Sequence, residues 1–286
     1  MSVLFCDTNC ELWYTRAEEL GLKVIQMPYI LDGEEVAYDL GKETDFRHFY
    51  DRVRAGVLPT TAALNEFDYT EYFEPVFASG QDIYYITFSH KMSGTFAYMN
   101  SAIEKLKEKY PERKITIYNS RSVSMGAGII VYYAAQYWKN GATDEELTAY
   151  LDEIVPKSYC SFCVDSLAHL HRGGRISKTA EVFGSLLGIK PLITIQPDGT
   201  LKNVAKVKGA KKVVSELASL VKEYGDLSGK YEIFVMQADC EEEGDKLAER
   251  VKELCGEHLT ITKQIIGPVI ATHCGPGTLG IVFMRK

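Results

Sequence analysis

The hydrophobic positions along the chain alternate between two rhythms. Short β-branched and aromatic runs at residues 3–6, 23–28, 83–88 and 114–118 read as strands. Between them, residues 12–20, 45–55 and 96–109 repeat their apolar positions at helical spacing. The changeover is sharpest in YYITFSHKMSGTFAYMNSA, residues 84 to 102, where a strand hands over to a helix across Ser93, Gly94 and Thr95. Strands alternating with helices predict a parallel sheet with βαβ crossovers. Residues 123–138 are apolar nearly all round, which predicts a buried helix. Gly126 and Gly128 inside it each cost about 1 kcal/mol relative to alanine, so close packing is expected there, against the sheet or against a ligand.

The polar stretch KNGATDEELTAYLDEIVPKS carries a glycine turn, an acidic helix and Pro156, and a domain boundary is expected just after it. The pattern then restarts. Strands are expected at 159–164, 192–195, 201–207, 231–237, 259–265 and 280–284, and helices at 177–187, 210–224 and 241–255. Pro197-Asp198-Gly199 marks a turn between two of the strands. The expected architecture is α/β, with two α/β domains at 1–157 and 158–286, each a mainly parallel sheet flanked by helices.

Composition narrows the function. The 286 residues are 46% hydrophobic and carry a net charge of −7, so the chain can bury one large core or two ordinary ones and lacks the basic excess of a nucleic-acid binder. No basic leader precedes an apolar run at the N-terminus, so no secretory signal is expected. The most apolar window, 123–138, is shorter than the ~20 residues a bilayer requires, and no stable membrane insertion is expected. The 7 cysteines are scattered, which suits a reducing cytoplasm better than a disulfide framework. Cys160 and Cys163 form a CxxC, but on a strand they point to opposite faces and no second pair completes a metal site.

Four polar clusters interrupt the pattern. Ser93-Gly94-Thr95 sits where a helix N-terminus offers unpaired N–H groups. Ser93 reads as its N-cap, and Gly94 as a residue that lets a ligand approach the backbone. Thr60 and Thr61 follow Pro59 and read either as a second cap or as ligand-facing hydroxyls. His273 leads into a loop with Gly275, Gly277 and Gly280. Arg172, Arg175 and Lys178 surround a glycine pair and, with Lys206, Lys208, Lys211 and Lys212, form a basic surface that would dock an acidic partner or simply be solvated.

No GxSxG elbow, GxxxxGK[ST] loop or HExxH is present. Ser93 and His273 are candidates for a nucleophile and base of an acyl hydrolase or acyltransferase, with Asp7 or Asp165 as the orienting acid. Two hydroxyls and an imidazole are also suitable hydrogen-bond donors to a single carboxylate, which requires no activated nucleophile.

Several stretches together resemble the DegV family of bacterial fatty-acid-binding proteins: MSGTF after a strand, HRGGRISKTAEVFGSLLGIKPLITI, GPVIATHCGPGTLGIVF, and the shorter CDTNCEL, MPYILDGEE and NSRSVSMGAGIIV. The resemblance implies a long-chain fatty acid such as palmitate, stearate or oleate in an apolar tunnel between two α/β domains, with no other cofactor. It places the carboxylate on Thr61, Ser93 and His273. The loop TTAALN keeps the threonine but lacks the Ser-Gln-Pro that usually follows, so Thr60 competes with Thr61, which keeps the family spacing to Ser93. The resemblance further implies a non-catalytic carrier that presents its fatty acid to a separate fatty-acid kinase for acyl-phosphate formation.

Overall fold

The computed structural model describes residues 2–176 and 188–286. The expected helix at 177–187, and Lys178 with it, lies outside these residues. In chain order the first half contains β1 (Val3–Asp7), α1 (Tyr14–Glu19), β2 (Lys23–Ile25), β3 (Pro28–Leu31), β4 (Glu34–Ala37), α2 (Phe46–Arg54), β5 (Thr60–Thr61), α3 (Glu66–Ala78), β6 (Ile83–Thr87), α4 (Thr95–Lys109), β7 (Ile115–Asn119), α5 (Met125–Lys139) and α6 (Asp144–Ile154). The second half contains β8 (Ser158–Cys163), α7 (Ala168–Arg172), β9 (Ile189–Ile195), β10 (Leu201–Lys208), α8 (Ala210–Tyr224), β11 (Ile233–Gln237), α9 (Glu241–Cys255), β12 (Ile261–Ile265), α10 (Pro268–Cys274) and β13 (Leu279–Met284). No helix among the described residues is long and apolar enough to cross a membrane.

The first sheet is parallel throughout, in the order β2-β1-β6-β7. Strand β6 is buried at every residue because strands flank it on both sides, whereas the edge strand β7 is only half-buried. The chain leaves β1 towards one edge and later returns through β6 towards the other. The crevice beyond the carboxyl ends of these two strands is therefore a topological switch point, the place where open parallel sheets bind ligands. A small antiparallel sheet, β4-β3-β5, lies outside the expected pattern. Its hairpin turns at Asp32-Gly33, both with positive φ, the backbone that a two-residue Asp-Gly turn requires.

The second sheet corrects the expectation of a mainly parallel arrangement. Its order is β10-β9-β8-β13-β11-β12, and among these neighbours only β11 and β12 run parallel. The physical reason lies in the connections. The Pro197–Gly199 turn is too short to carry a crossover, so β9 and β10 pair antiparallel, while α9 supplies the one true βαβ crossover. Strand β13 inserts between β8 and β11, antiparallel to both.

Period-two alternation divides this sheet between two environments. Ile233, Val235, Ile281 and Phe283 join the core formed with α8 and α9, whereas Phe234, Met236, Val282 and Met284 join the core shared with the first half. Cys160 and Cys163 fall on opposite sides in the same way. Helix α5 lies against the shared side, and its two glycines are there for protein packing. A Cβ on Gly126 would stand 2.9 Å from Cys160 Cβ, and one on Gly128 would stand 2.3 Å from the Cys10 carbonyl oxygen.

Glu11 joins the two halves. It is fully buried, with a left-handed φ of 54°. Its carboxyl accepts from Ser124 Oγ at 2.9 Å, at the start of α5, and from Gly267 N at 2.6 Å, at the start of α10. Burial pushes its pKa from 4.5 up to about 8, outweighing the opposite effect of those two hydrogen bonds. The folded chain therefore keeps a proton that the unfolded chain releases above about pH 4.5. The resulting stability is complete below that pH and is lost as pH rises towards 8. Asp7, buried at the end of β1 and pushed up to about 7, adds to the same slope. Glu11→Gln keeps the shape and an acceptor, so it should flatten much of the decline in urea midpoint between pH 5 and pH 8. An unchanged slope would mean that Glu11 is ionised in the folded chain.

Candidate ligand-binding site

A cavity occupies the switch point, bounded by the first sheet's loops and the shared face of the second sheet. Counted out to its open mouth, solvent there included, it contains about 950 Å³ of space between atoms. Cys160, Phe162, Ile195, Met236 and Val282 form one wall, residues of a single sheet face. Met27, Phe88, Met92 and Val123 face it from the first half, and Val269 and Ile270 come from α10. Gly280 keeps the sheet side flat, since a Cβ there would press on Phe162 at 3.1 Å.

Thr61, Ser93, His273 and Arg175 also line this cavity. Thr61 sits on β5, paired with Tyr29 of β3, and the adjacent Thr60 is exposed. Neither threonine is a helix cap. Helix α3 begins later, capped by Asn65, whose Oδ1 accepts from Asp68 N at 3.1 Å while the Asp68 carboxylate accepts from Asn65 N at 2.7 Å. The N-cap of α4 is Gly94 rather than Ser93, and Ser93 Oγ accepts from Thr95 N at 3.1 Å, one step before the helix. Gly94 is not part of the cavity wall. His273 lies in the last turn of α10, not on the loop after it.

The imidazole links the two halves directly: Nε2 lies 3.0 Å from Thr61 Oγ1. Desolvation, with Arg175, Arg172 and His169 close by, pushes the His273 pKa down to about 3, so the ring is neutral at physiological pH. Its Nδ1 is buried without a hydrogen-bond partner among the described residues and packs over Gly173, where a Cβ would stand only 2.3 Å away. A buried N–H without an acceptor is costly, which places the single ring proton on Nε2. Nε2–H then donates to Thr61 Oγ1, leaving the Thr61 hydroxyl proton to point elsewhere.

Arg175 departs from the surface group in which the sequence placed it. Its Nε donates to the Met92 carbonyl at 2.9 Å and its Nη1 to the Gly173 carbonyl, and no carboxylate among the described residues pairs with it. Arg172 remains exposed, its Nη2 3.0 Å from His169 Nδ1. Lys206 and Lys208 are exposed on the edge strand β10, and Lys211 and Lys212 on the first turn of α8.

Most other polar groups on the cavity wall are already engaged. Thr95 Oγ1 donates to the Leu64 carbonyl at 3.2 Å, Ser124 to Glu11, and Thr278 to the Gly275 carbonyl at 2.8 Å. Asn9 is the exception, with Oδ1 buried and unpartnered among the described residues. A Ser93–His273 relay is not assembled. His273 Nε2 is bonded to Thr61, its Nδ1 meets no acid among the described residues, Asp7 accepts from Tyr85 and Phe88, and Asp165 pairs with Lys190 at 2.6 Å. The sequence did not reveal that Arg175 turns inward or that Asn9 reaches the cavity. Their positions come from the short helix α7 and the loop after β1, which carry no periodic pattern.

Residues 3–286 match the family described as "Uncharacterised protein, DegV family". A DegV domain-containing protein of Clostridium perfringens is 36% identical over 282 residues, covering 99% of this chain and 97% of that one. The crystal structure of DegV from Bacillus subtilis, described as a fatty acid binding protein, is similar at 27% identity and a TM-score of 0.83, over 99% of each chain. A DegV family protein from Eubacterium eligens, loaded with heptadecanoic acid, shares the fold at a TM-score of 0.84 and 23% identity, over 100% of both chains. With the family matched across all but the first two residues, the chain belongs to the DegV family.

Proposed function

We propose that the cavity holds one long-chain fatty acid, with Thr61 and Ser93 donating to its carboxylate and His273 holding Thr61 in place. The observation that carries this reading is the composition of the wall: apolar from both halves, with an unspent hydroxyl–imidazole–guanidinium group gathered on it. A neutral His273 that donates to Thr61 Oγ1 frees the threonine proton for an anion, and Arg175 adds a cation without a carboxylate of its own among the described residues. The heptadecanoic acid held by the Eubacterium eligens protein agrees with a long apolar ligand.

The division of labour follows from magnitudes. Each buried CH₂ contributes ~0.8 kcal/mol, so about fifteen give on the order of 12 kcal/mol before the cost of immobilising the ligand. Each hydrogen bond to the carboxylate adds ~1.5–3 kcal/mol. The tail supplies most of the affinity and the polar group fixes which end it occupies. We read the chain as two units, 1–157 and 158–286, with the ligand between them, working in the cytoplasm as a carrier with no chemistry of its own. The rival, acyl hydrolysis by Ser93 and His273, would require a base that titrates near neutral pH and an acid to orient it, and His273 has neither property here.

Lipid extraction and mass spectrometry of protein purified from a bacterial host should find a co-purified long-chain fatty acid. Delipidated Thr61→Ala and Ser93→Ala should each bind palmitate about tenfold more weakly, with the fold intact by circular dichroism. Unaltered affinity in both would remove these residues from the site, and ester turnover abolished by Ser93→Ala would favour the hydrolase. By NMR, the His273 ring carbons should show no titration between pH 5 and 8, and a step near pH 6.5 would contradict the neutral-donor arrangement. The exposed cations Arg172, Lys206 and Lys208 are read as the docking surface for a fatty-acid kinase. Reversing their charge should slow acyl-phosphate formation by an added kinase while leaving palmitate binding intact, and an unchanged rate would mark them as ordinary solvated side chains.

A further inference from the structure

A second cavity shares Cys160 and Ile195 with the first as a common wall. It contains about 930 Å³ counted to its rim and lies where the end of β7 meets the start of β8 and the β9–β10 turn. Its chemistry is unlike that of the first. Arg121 and Arg285 line it, with Ser120, Ser122, Ser158 and Thr194, and no aspartate or glutamate among the described residues is part of its wall. In a chain with 39 acidic and 32 basic residues, two arginines in one concavity with no ion-pair partner among the described residues need a physical reason.

Arg285 is held through its side chain and Arg121 through its backbone. Arg285 lies over the Tyr159 ring, 5.6 Å from its centroid, and its Nη2 donates to the Pro156 carbonyl at 2.5 Å. Its Nε is buried with no acceptor among the described residues. Arg121 has a left-handed φ of 52°, an unfavourable backbone for a side chain of its kind. The segment cannot relax, because Ser120 N donates to Thr87 O at 3.0 Å, Ser89 N donates to Ser122 O at 2.7 Å, and Gly199 packs against the Arg121 Cα. A strained, fixed backbone thus carries one of the two arginines that line the cavity, and the other keeps a buried N–H without a partner among the described residues.

We propose that this cavity binds the phosphate group of a small phosphomonoester. Two guanidinium groups without an acidic partner among the described residues carry two positive charges, which a phosphate with three terminal oxygens and about two negative charges matches better than a carboxylate with one. Val155, Pro156, Pro197 and Ile195 supply apolar surface beside the arginines, which accommodates the organic part of an ester. Inorganic phosphate carries the same anionic chemistry without that part.

The test is calorimetric titration of the full chain with glycerol 3-phosphate, inorganic phosphate and acetate in parallel. Saturable binding of both phosphates, tighter for the ester, is expected, with acetate inert. Arg121→Gln and Arg285→Gln should each weaken phosphate binding about tenfold or more, while palmitate affinity, which uses the other cavity, stays within twofold. Should Arg285→Gln lower the thermal midpoint, Arg121→Gln alone decides, because the Arg121 side chain has no hydrogen bond to lose among the described residues. Tighter binding of inorganic phosphate would overturn the assignment to an ester. Absence of saturable phosphate binding, binding unaffected by both substitutions, or acetate binding as tight as phosphate would overturn the site altogether.

Discussion

One buried carboxyl group holds the two halves in register. Glu11 takes hydrogen bonds from the first residues of two helices, Ser124 before α5 and Gly267 before α10, and does so from a left-handed backbone that costs energy to maintain. Helix α5 packs on the second sheet through Gly126, and α10 carries His273 towards Thr61. A shift at Glu11 would therefore move the cavity's wall and its polar group together. Keeping the carboxyl protonated avoids burying a charge at this join while leaving both oxygens able to take part in hydrogen bonds.

The polar group works by the same economy of charge. A charged imidazole at position 273 would face Arg175 and Arg172 without a compensating acid, and desolvation already disfavours it. The neutral ring costs less and is also the more useful form, since a neutral donor to Thr61 sets the direction of the threonine proton without competing for an incoming anion. Arg175 is held by the carbonyls of Met92 and Gly173, which orient it without neutralising it. An anion entering this cavity meets donors in place, and little reorganisation is required of them.

How far the sequence could be read depended on whether an element's period was set by its own neighbours. Helices α8 and α9 occupy the expected residues because each lays one apolar stripe on one sheet face. The β3–β4 hairpin has a strong local turn marker in Asp32-Gly33, but β4 is exposed at every residue and offers no apolar alternation from which a strand could be read. The hairpin matters to the site, since β3 is the strand against which β5, with Thr61, is paired; without it Thr60 and Thr61 read as a cap or as ligand-facing hydroxyls. Strand direction in the second sheet was equally hidden. A buried strand reads as a continuous apolar run whichever way its neighbours point, and only the connections decide. Thr61, Ser93 and His273, singled out in the sequence by their chemistry, line one cavity, whereas nothing in the local sequence of Arg175 says that it turns inward.

The alternation of side chains in the second sheet explains how one molecule can carry two such different concavities. Its shared face offers Phe162, Met236 and Val282 to the first cavity, an apolar surface without hydrogen-bonding demands of its own. At the rim of that face the strands β8 and β9 run out towards Ser158, Tyr159, Thr194 and Gln196, and the lining turns polar within two or three residues of Cys160 and Ile195. The boundary between a lipid-like interior and an arginine-bearing pocket is thus one strand-width of packed side chains. Because Cys160 and Ile195 belong to both walls, filling either cavity presses on residues that the other must also accommodate. Close-packed interiors transmit such displacements rather than absorb them. Two cavities that share rigid wall residues have a physical route by which occupancy of one can bias the shape of the other.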